Sequence, residues 1–295
     1  MNYYNDIKNE LLNNEINKKV KTYSINNSDL STYYNVGKKL SEAGKHYGEG
    51  IIKEYSKKLI IEVGKKYSTR LLYKMMKYYK FASSQKVPTA SANLTWSHYD
   101  ELLKFKDNNK INYYIIMSAK QNLSIRDLRE KIKSNEYERL DEKAKLKLIN
   151  KKETNIKDLI KNPIIIKNNK YEIISEKKLQ KLIIEDIESF MKELGEYFCF
   201  IGSEYKIKIG DTYNYIDLLL FNYFYNCFVV VELKVTELKK EHIGQIEIYM
   251  NYIDNNIKRI EQDKTIGIII CKKNNKYIIE YCSDKRIISR EYITI

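Results

Sequence analysis

Two carboxylates and a lysine lie at the ends of two apolar runs in the second half of the chain. Asp217 is the second residue of the run 216–221, and Glu232 and Lys234 lie at the end of the run 229–234. If the runs form neighbouring strands, we expect these three side chains to meet at one edge of a sheet. Two carboxylates and an ammonium there can hold a divalent cation and a water beside a phosphodiester. The D-x(n)-E-x-K spacing therefore predicts a metal-dependent nuclease.

The expected burial of the two carboxylates supports the same interpretation. A carboxylate on a half-buried strand is costly unless something neutralises it, and Mg²⁺ favours one or two carboxylates plus waters and phosphate oxygens. The backbone carbonyl of Leu233, between Glu232 and Lys234, could add an oxygen ligand. Lys234 is two residues from Glu232 and points to the same side of a strand, where it can orient water or offset phosphate charge. Without metal, at least one carboxyl pKa should rise.

The alternative is a surface Asp, Glu and Lys on edge strands, because E-x-K alone is common in a Lys-rich chain. The order of elements around the motif favours the nuclease: a helix, a hairpin ending in Ile216-Asp217, the strand Val229–Lys234, then another helix.

Charge is distributed unevenly along the 295 residues. The formal net charge is +14; residues 1–175 hold 35 Lys+Arg and 20 Asp+Glu (+15), whereas residues 176–295 hold 18 and 19 (−1). A basic N-terminal part is expected if that part contacts a polyanion. Codon bias in an AT-rich genome could raise the Lys content, but it does not readily explain the asymmetry.

Residues 1–140 show helical periodicity. A helix at 69–83 would place Arg70, Lys74 and Lys77 on one face, which makes them candidates for nucleic-acid binding. A Lys-rich stripe of this kind can equally be a solvated face of a core helix.

A loop at 83–93, containing Pro88, precedes a second expected helix at 97–106. Two helices around such a loop permit a helix-turn-helix or winged-helix arrangement. We therefore predict an all-helical, basic domain at 1–150.

Residues 151–175 are charged and contain Asn162-Pro163, so they are predicted to be a connector. From 176 the pattern becomes α/β, and residues 176–295 are predicted to be a nuclease domain with a central mixed sheet. The expected elements are a helix from Leu179 to Gly195, strands at 198–201, 205–209, 215–221, 227–233, 266–271 and 277–281, and a helix at 241–254.

The sequence resembles a known family. The motifs that carry the resemblance are Tyr205, Tyr215–Phe221, Val230–Lys234 and Gly244–Tyr249 in the C-terminal part, and Tyr34, Gly37, Tyr47-Gly48, Leu59, Thr95–His98, Tyr113-Tyr114 and Arg126–Leu128 in the N-terminal part. Together they look like the PDDEXK nuclease proteins of the YhcG type (DUF1016), over nearly the whole chain. The stretch 202–249 is specific, and the N-terminal match is looser.

The resemblance implies a restriction-endonuclease-like C-terminal domain and a helical, DNA-binding-like N-terminal domain. It implies that Asp217 and Glu232 are metal ligands and that Lys234 is the catalytic lysine. Gln245 and Tyr249 match a Q-x-x-x-Y motif near the substrate backbone, and their four-residue spacing puts them on one helical face.

One position departs from the family pattern. Such nucleases often supply another acid from the first helix, near position 180, where this chain has Gln180. Either Glu185 or Glu188 substitutes as a metal ligand, with Glu185 preferred, or the site works with fewer ligands.

These observations predict a Mg²⁺- or Mn²⁺-dependent nuclease acting on DNA, with the preference for DNA over RNA resting on the resemblance. The rival is a catalytically silent nuclease fold that binds nucleic acid or assembles with protein, because folds do not dictate functions. A homodimer is possible, since double-strand cleavage by one site per chain would favour it.

The remaining expectations concern location. The four cysteines lack zinc-ligand spacing and are expected to be reduced thiols. The N-terminus is polar and shows no signal peptide, and no apolar run approaches the ~20 residues needed to cross a bilayer. We therefore expect a cytoplasmic protein that does not enter a membrane.

Overall fold

The computed structural model describes residues 3–20, 25–48, 50–84, 94–150, 152–168 and 175–295. The chain divides into two compact units, Met1–Ser134 and Asn135–Ile295. The division falls before the predicted connector at 151–175, and ion pairs explain why. Arg139 and Lys161 both pair with Glu193 of helix Ile187–Leu194, so the segment that carries them belongs to the second unit.

The first unit is helical throughout its described residues, which contain no strand. Its helices are α1 (Tyr3–Val20), α2 (Ile25–Tyr47), α3 (Gly50–Glu62), α4 (Thr69–Ser84), α5 (Trp96–Leu102), α6 (Asn108–Gln121) and α7 (Ile125–Lys133).

Helix α4 confirms the helix expected at 69–83, and α5 is shorter than the helix expected at 97–106. Most of the loop predicted between them, including Pro88, lies outside the described residues. A winged helix needs a β-hairpin, so the described helices do not confirm that character. The N-terminal unit is an all-helical domain.

Helices α2 and α4 cross closely at Gly37. A Cβ at Gly37 would lie 2.7 Å from the carbonyl carbon of Met75 on α4 and closer still to its oxygen. Those atoms are backbone, so they cannot turn aside as a side chain would. Gly44, two turns later on α2, has no atom within 4 Å of the position that a Cβ would take.

The Gly37→Ala substitution should therefore destabilise the protein by about 1–3 kcal/mol, the cost of overpacking a well-packed contact. Gly44→Ala on the same helix should stabilise it by about 0.5–1 kcal/mol, because alanine is the better helix former. Urea unfolding monitored by circular dichroism measures both. Equal effects of the two substitutions would contradict a close α2–α4 contact at Gly37.

The second unit is an α/β domain. Its elements in chain order are α8 (Glu142–Ile149), α9 (Ile156–Leu159), β1 (Ile164–Ile166), α10 (Glu176–Glu185), α11 (Ile187–Leu194), β2 (Phe198–Ile209), β3 (Thr212–Asn222), β4 (Cys227–Glu237), α12 (Lys240–Asn256), β5 (Asp263–Lys273), α13 (Lys276–Glu280) and β6 (Ile287–Thr294).

In the described residues, six strands form one sheet in the order β1-β6-β5-β4-β3-β2. Strands β2, β3 and β4 form an antiparallel meander, whereas β4, β5, β6 and β1 pair in parallel. The predicted mixed sheet is thereby confirmed. Strand β4 lies between an antiparallel and a parallel neighbour, and its run Val229–Lys234 is buried on both faces.

Two apolar clusters cover the faces of the sheet. One contains Leu218, Leu220, Val231 and Leu233 and packs against α10 and α11. The other contains Ile216, Leu219, Val230 and Ile269 and packs against α12. The side chains of β4 alternate between the two clusters, as the two-residue period of a strand requires.

Three sequence predictions about this unit need correction. The expected strand 277–281 is the short helix α13, whose Tyr277 and Tyr281 rings are largely exposed; so short an apolar run fits either element. The helix expected from Leu179 to Gly195 is broken at Asp186, whose carboxylate caps α11 at Ser189 N. The strands expected at 198–201 and 205–209 are one strand, β2, and β1 and β6 were not predicted.

No described helix is both long and apolar enough to span a bilayer. All four cysteines are free thiols; Cys227, Cys271 and Cys282 are buried, and Cys199 is exposed. Burial raises the pKa of the Cys227 and Cys271 thiols to about 12, so both are protonated and unreactive near neutral pH.

Candidate active site

The site lies where β3 separates from β4. Their ladder runs from Asn222↔Cys227 to Leu218↔Val231. Just beyond that last pair, the Oδ2 atom of Asp217 accepts the N–H of Leu233 at 2.8 Å. The side chain therefore takes a hydrogen bond that a continuing strand would have supplied, which fixes the carboxylate beside β4.

A sharp change in strand direction accompanies this separation. Ile216 and Leu218 are two residues apart on β3, yet they pack in different clusters on opposite faces of the sheet. Across β3, the same reversal occurs at Glu204 of β2, which has a left-handed backbone with φ of +47°. Such a conformation is unfavourable for a non-glycine residue and is typical of functional sites. Asp217 therefore lies where the side chains of the β2–β3 hairpin change from one face of the sheet to the other.

Glu232 is the most deeply buried carboxylate of the site, with 2% of its side chain exposed. Its Oε2 atom lies 3.4 Å from the Lys234 ammonium, whereas Oε1 is buried with no hydrogen-bond partner among the described residues. Burial, and then the nearby charge of Asp217, raise the pKa of the Glu232 carboxyl to about 8. An unpaired buried carboxylate oxygen is costly, so this atom needs a proton or a cation.

Lys234 is the cation of the site. Its ammonium lies 3.3 Å from Glu176 Oε2 as well as 3.4 Å from Glu232 Oε2, and its side chain is 8% exposed. Burial acts to lower the pKa of Lys234, but the carboxylates of Glu232, Glu176 and Asp217 outweigh it and raise the pKa. Lys234 is therefore protonated near neutral pH, and it acts as a charge and a hydrogen-bond donor rather than as a base.

Helix α10 supplies the acid that the sequence left in doubt. Glu176, its first residue, reaches Lys234, and Gln180, one turn later on the same face, donates to the backbone carbonyl of Asp217 at 2.9 Å. Glu185 lies nine residues after Glu176, on the opposite side of a 3.6-residue helix, and pairs with Lys181 at 3.9 Å. The structure thus brings Glu176, and not Glu185, to the site.

Two further residues near the site were not predicted. Burial, and then the charge of Lys234, lower the pKa of His242 on the first turn of α12, so its imidazole is neutral near pH 7. Its Nδ1 atom accepts the N–H of Lys239 at 3.1 Å. The other residue is Glu204. Its charge helps to raise the pKa of Asp217, after the larger effect of burial.

Gln245 and Tyr249 share one face of α12, as predicted. Gln245 Nε2 donates to the Tyr249 hydroxyl at 3.2 Å, and the Tyr249 ring is buried in the cluster beneath α12. In the described part of the chain, neither forms a hydrogen bond with Asp217, Glu232 or Lys234, so their place beside a substrate stays a prediction.

The basic stripe predicted on α4 is only partly available. Lys74 forms an ion pair with Asp100, and the ammonium of Lys77 donates to the carbonyl of Leu103. Both contacts join α4 to the α5 segment. Arg70, at the start of α4, is exposed. Packing between helices therefore explains two of the three residues, and their binding to nucleic acid is untested.

The carboxylates available for a cation are few. In the ranges that the structure describes, no group of three or more His, Cys, Asp or Glu side chains is arranged as a metal site. Asp217 and Glu232 alone suit a hard cation such as Mg²⁺, which takes one or two carboxylates and fills its other positions with water or phosphate. The unpaired Glu232 Oε1 atom fits this requirement.

A mixed sheet with Asp217, Glu232 and Lys234 at one edge is the arrangement of a PDDEXK nuclease domain. Two family models match the chain: the YhcG PDDEXK nuclease domain at residues 157–294 and the DUF1016 N-terminal domain at residues 9–139. Between them they span most of the sequence, and the chain belongs to this nuclease family.

Comparison with individual proteins gives a relative that matches most of both chains. The protein named "Putative nuclease YhcG" of Escherichia coli (strain K12) is 26% identical over 294 aligned residues, covering 84% of this chain and 78% of that protein.

Two solved structures show a partial likeness. One is a repair endonuclease from Pyrococcus abyssi, 19% identical with a TM-score of 0.29 over 43% of this chain and 49% of that chain. The other is a complex of EndoMS with dsDNA, with the same identity and TM-score over 43% and 48%. The chain spans about half the length of these structures, and a TM-score this low carries no conclusion about the site.

The buried carboxyl of Glu232 predicts how stability changes with pH when no divalent cation is present. Its pKa is raised from 4.5 to about 8, so between those values the folded protein holds a proton that the unfolded chain releases. Stability from this group is complete below about pH 4.5 and is lost as pH rises towards 8. The free energy of unfolding of the wild type in EDTA should therefore fall over this window.

The control is Glu232→Gln, an amide that mimics the neutral carboxyl. Its unfolding free energy, measured by urea titration at several pH values, should fall less steeply. Identical pH profiles for the two proteins would show that Glu232 is ionised in the folded state and would contradict the electrostatic account.

Proposed function

We propose that this protein is a divalent-metal-dependent deoxyribonuclease that hydrolyses DNA phosphodiester bonds with Mg²⁺ or Mn²⁺. The observation that carries the proposal is the buried Glu232 carboxylate, with one unpaired oxygen, beside Asp217 and a protonated Lys234. A fold that served only as a scaffold would gain nothing from this costly arrangement. Membership of the nuclease family supports the same conclusion.

Each site residue has a role in this proposal. Asp217, Glu232 and the backbone carbonyl of Leu233 would hold the cation. When bound, the cation supplies a Lewis acid and lowers the pKa of a bound water. The protonated Lys234 donates to the attacking water or to a phosphate oxygen and offsets the negative charge that develops there. Glu176 and Gln180 act as positioning residues, since one holds the Lys234 ammonium and the other holds the backbone of Asp217.

The same proposal assigns a substrate role to α12. Gln245 and Tyr249 would contact the DNA backbone after the hydrogen bond between them is exchanged for one to a phosphate. Glu185 keeps no role as a ligand, because its side chain lies on the far side of α10. A cytoplasmic location and a homodimer rest on the sequence alone.

The direct test is cleavage of linear, nicked and branched DNA by the wild type and by Glu232→Gln, in Mg²⁺ and Mn²⁺. We expect the substitution to lower the cleavage rate at least about 100-fold, as removal of a key electrostatic group from an active site does. Calorimetry should show a loss of Mn²⁺ binding. Glu188→Gln is the matched control, because Glu188, the other acid considered as a ligand, is exposed on α11 and pairs there with Lys192.

Three results would count against the proposal. Equal cleavage by wild type and Glu232→Gln would remove Glu232 from the chemistry. DNA binding without cleavage or Mn²⁺ binding would favour a silent nuclease fold. Cleavage of RNA in preference to DNA of the same sequence would change the substrate while keeping the site.

We also propose that the helical unit binds the DNA backbone. Residues 1–134 hold 25 Lys+Arg and 13 Asp+Glu, or +12 of the total of +14, which supports contact with a polyanion. Arg70 and Lys77 are the exposed members of the α4 stripe, and the Lys77 ammonium is already engaged by the Leu103 carbonyl.

In the full-length protein, Arg70→Gln should weaken duplex binding and reduce the slope of log affinity against log salt by about 1. Arg126→Gln is the control, since Arg126 is an exposed arginine of α7 paired with Glu130. Fluorescence anisotropy over a salt series measures both. An unchanged slope in Arg70→Gln would place phosphate binding elsewhere.

A further inference from the structure

The outer half of the β2–β3 hairpin presents an exposed stripe of two lysines and two tyrosines, which we call the hairpin stripe. Its members are Lys206, Lys208, Tyr213 and Tyr215. Lys206 is the cross-strand partner of Tyr215, and Lys208 is the partner of Tyr213, so all four share one face of the hairpin. Each tyrosine is 53% exposed, although both belong to the paired part of β3.

The other face of the same hairpin is packed. Ile207 and Ile216 are buried in the cluster beneath α12, and the backbone N–H of Lys208 donates to the Tyr252 hydroxyl of α12 at 3.5 Å. Packing against α12 therefore fixes the position of the hairpin and leaves the hairpin stripe on the opposite face. The Lys206 ammonium lies 3.8 Å from the centre of the Tyr213 ring, so a base that stacks on this face displaces the ammonium, which can then pair with a phosphate.

The hairpin stripe leads directly to the proposed active site. Tyr215 precedes Asp217 by two residues, and the strand reverses its faces between Ile216 and Leu218. Because of that reversal, the stripe lies on the side of the sheet that α10 covers further along β3. Glu176 and Gln180 of α10 reach the site from this side, whereas Glu232 and Lys234 leave β4 on the side that α12 covers. A polymer lying along the stripe would therefore reach Asp217 first, at the gap between β3 and β4.

We propose that the hairpin stripe binds a single-stranded segment of the DNA substrate and guides it to Asp217. This inference rests on the proposed nuclease function and adds the substrate class to it: DNA that carries an unpaired strand next to the cleaved bond. Tyr213 and Tyr215 stack on unpaired bases, and Lys206 and Lys208 pair with the phosphates between them.

The chemistry of the stripe selects unpaired rather than paired DNA. The ring face of a tyrosine can stack only on a base that has left its own stack, and a duplex offers base edges and phosphates instead. The charge agrees with this choice. The two lysines are flanked by exposed Asp211 at the tip and Glu204 where the side chains of β2 change faces, so the local charge is too balanced to bind duplex DNA by electrostatics alone. Stacking has to supply the affinity.

The test uses full-length protein in EDTA, so that binding is separated from cleavage. Fluorescence anisotropy compares a labelled oligodeoxythymidine with a labelled hairpin duplex. Tyr213→Leu and Tyr215→Leu keep apolar bulk on the hairpin but remove the ring. Each should weaken oligodeoxythymidine binding at least about fivefold, the lower end of the effect of losing one stacked base, and leave duplex binding unchanged.

Tyr213→Phe and Tyr215→Phe keep the ring and should bind oligodeoxythymidine like the wild type. Tyr223→Leu is the matched control, because this 60% exposed tyrosine follows β3 at the end remote from Asp217. Circular dichroism verifies folding. If a Leu variant does not fold, Lys206→Gln together with Lys208→Gln replaces it and should weaken oligodeoxythymidine binding and reduce its salt slope by about 1.4.

The outcomes separate this inference from the proposed function. Unchanged oligodeoxythymidine binding in the Leu variants would overturn the proposal that the hairpin stripe binds single-stranded DNA. If Glu232→Gln still abolished cleavage, the proposed nuclease function would stand. Equal losses on the single strand and the duplex would also overturn the proposal for the hairpin stripe. A change in sedimentation without a change in oligonucleotide affinity would make the hairpin a protein interface. Loss of single-strand binding in the Leu variants supports the stripe even if no cleavage is found.

Discussion

The hydrogen bond from the Leu233 N–H to the Asp217 carboxylate is the contact around which the site is arranged. It ends the β3–β4 ladder at Leu218 by replacing a strand bond with a side-chain bond. Because β3 can then turn away, the sheet opens at the edge where Glu232 and Lys234 end their buried run. The left-handed backbone of Glu204 makes the matching turn in β2.

Much of the fold could be predicted from sequence because its strongest patterns are long. Strand β4, with its run of apolar residues, and α4, which buries Leu72, Met75 and Tyr78, were found within a few residues of their ends. The failures are short or depend on distant residues. Strand β1 has three residues and exists because it pairs with β6, which the local pattern does not reveal. The break at Asp186 depends on one capping bond inside an otherwise helical pattern.

The site was predictable to the extent that it follows from strand geometry. Asp217, Glu232 and Lys234 come together because i and i+2 share a strand face and because the two strands are neighbours. Glu176 could not be selected in the same way. Its role depends on how α10 lies over β4, and the helix offers acids at both of its ends. The basic stripe on α4 shows that correct spacing alone does not define a site. Lys74 and Lys77 have the right spacing for phosphate contacts, but both bond to the α5 segment.

The balance of charge at the site limits what each group can do. Three carboxylates surround one ammonium, and the pKa of Lys234 is raised although burial opposes it. The lysine therefore cannot accept a proton from water near neutral pH, and its use is to hold negative charge in place. Burial, and then the charge of Asp217, raise the pKa of Glu232, which is the most buried of the acids and has the unpaired oxygen. Without a cation that group takes up a proton. In the proposed nuclease a divalent cation would compete with this proton for one buried oxygen, so metal binding would release the proton.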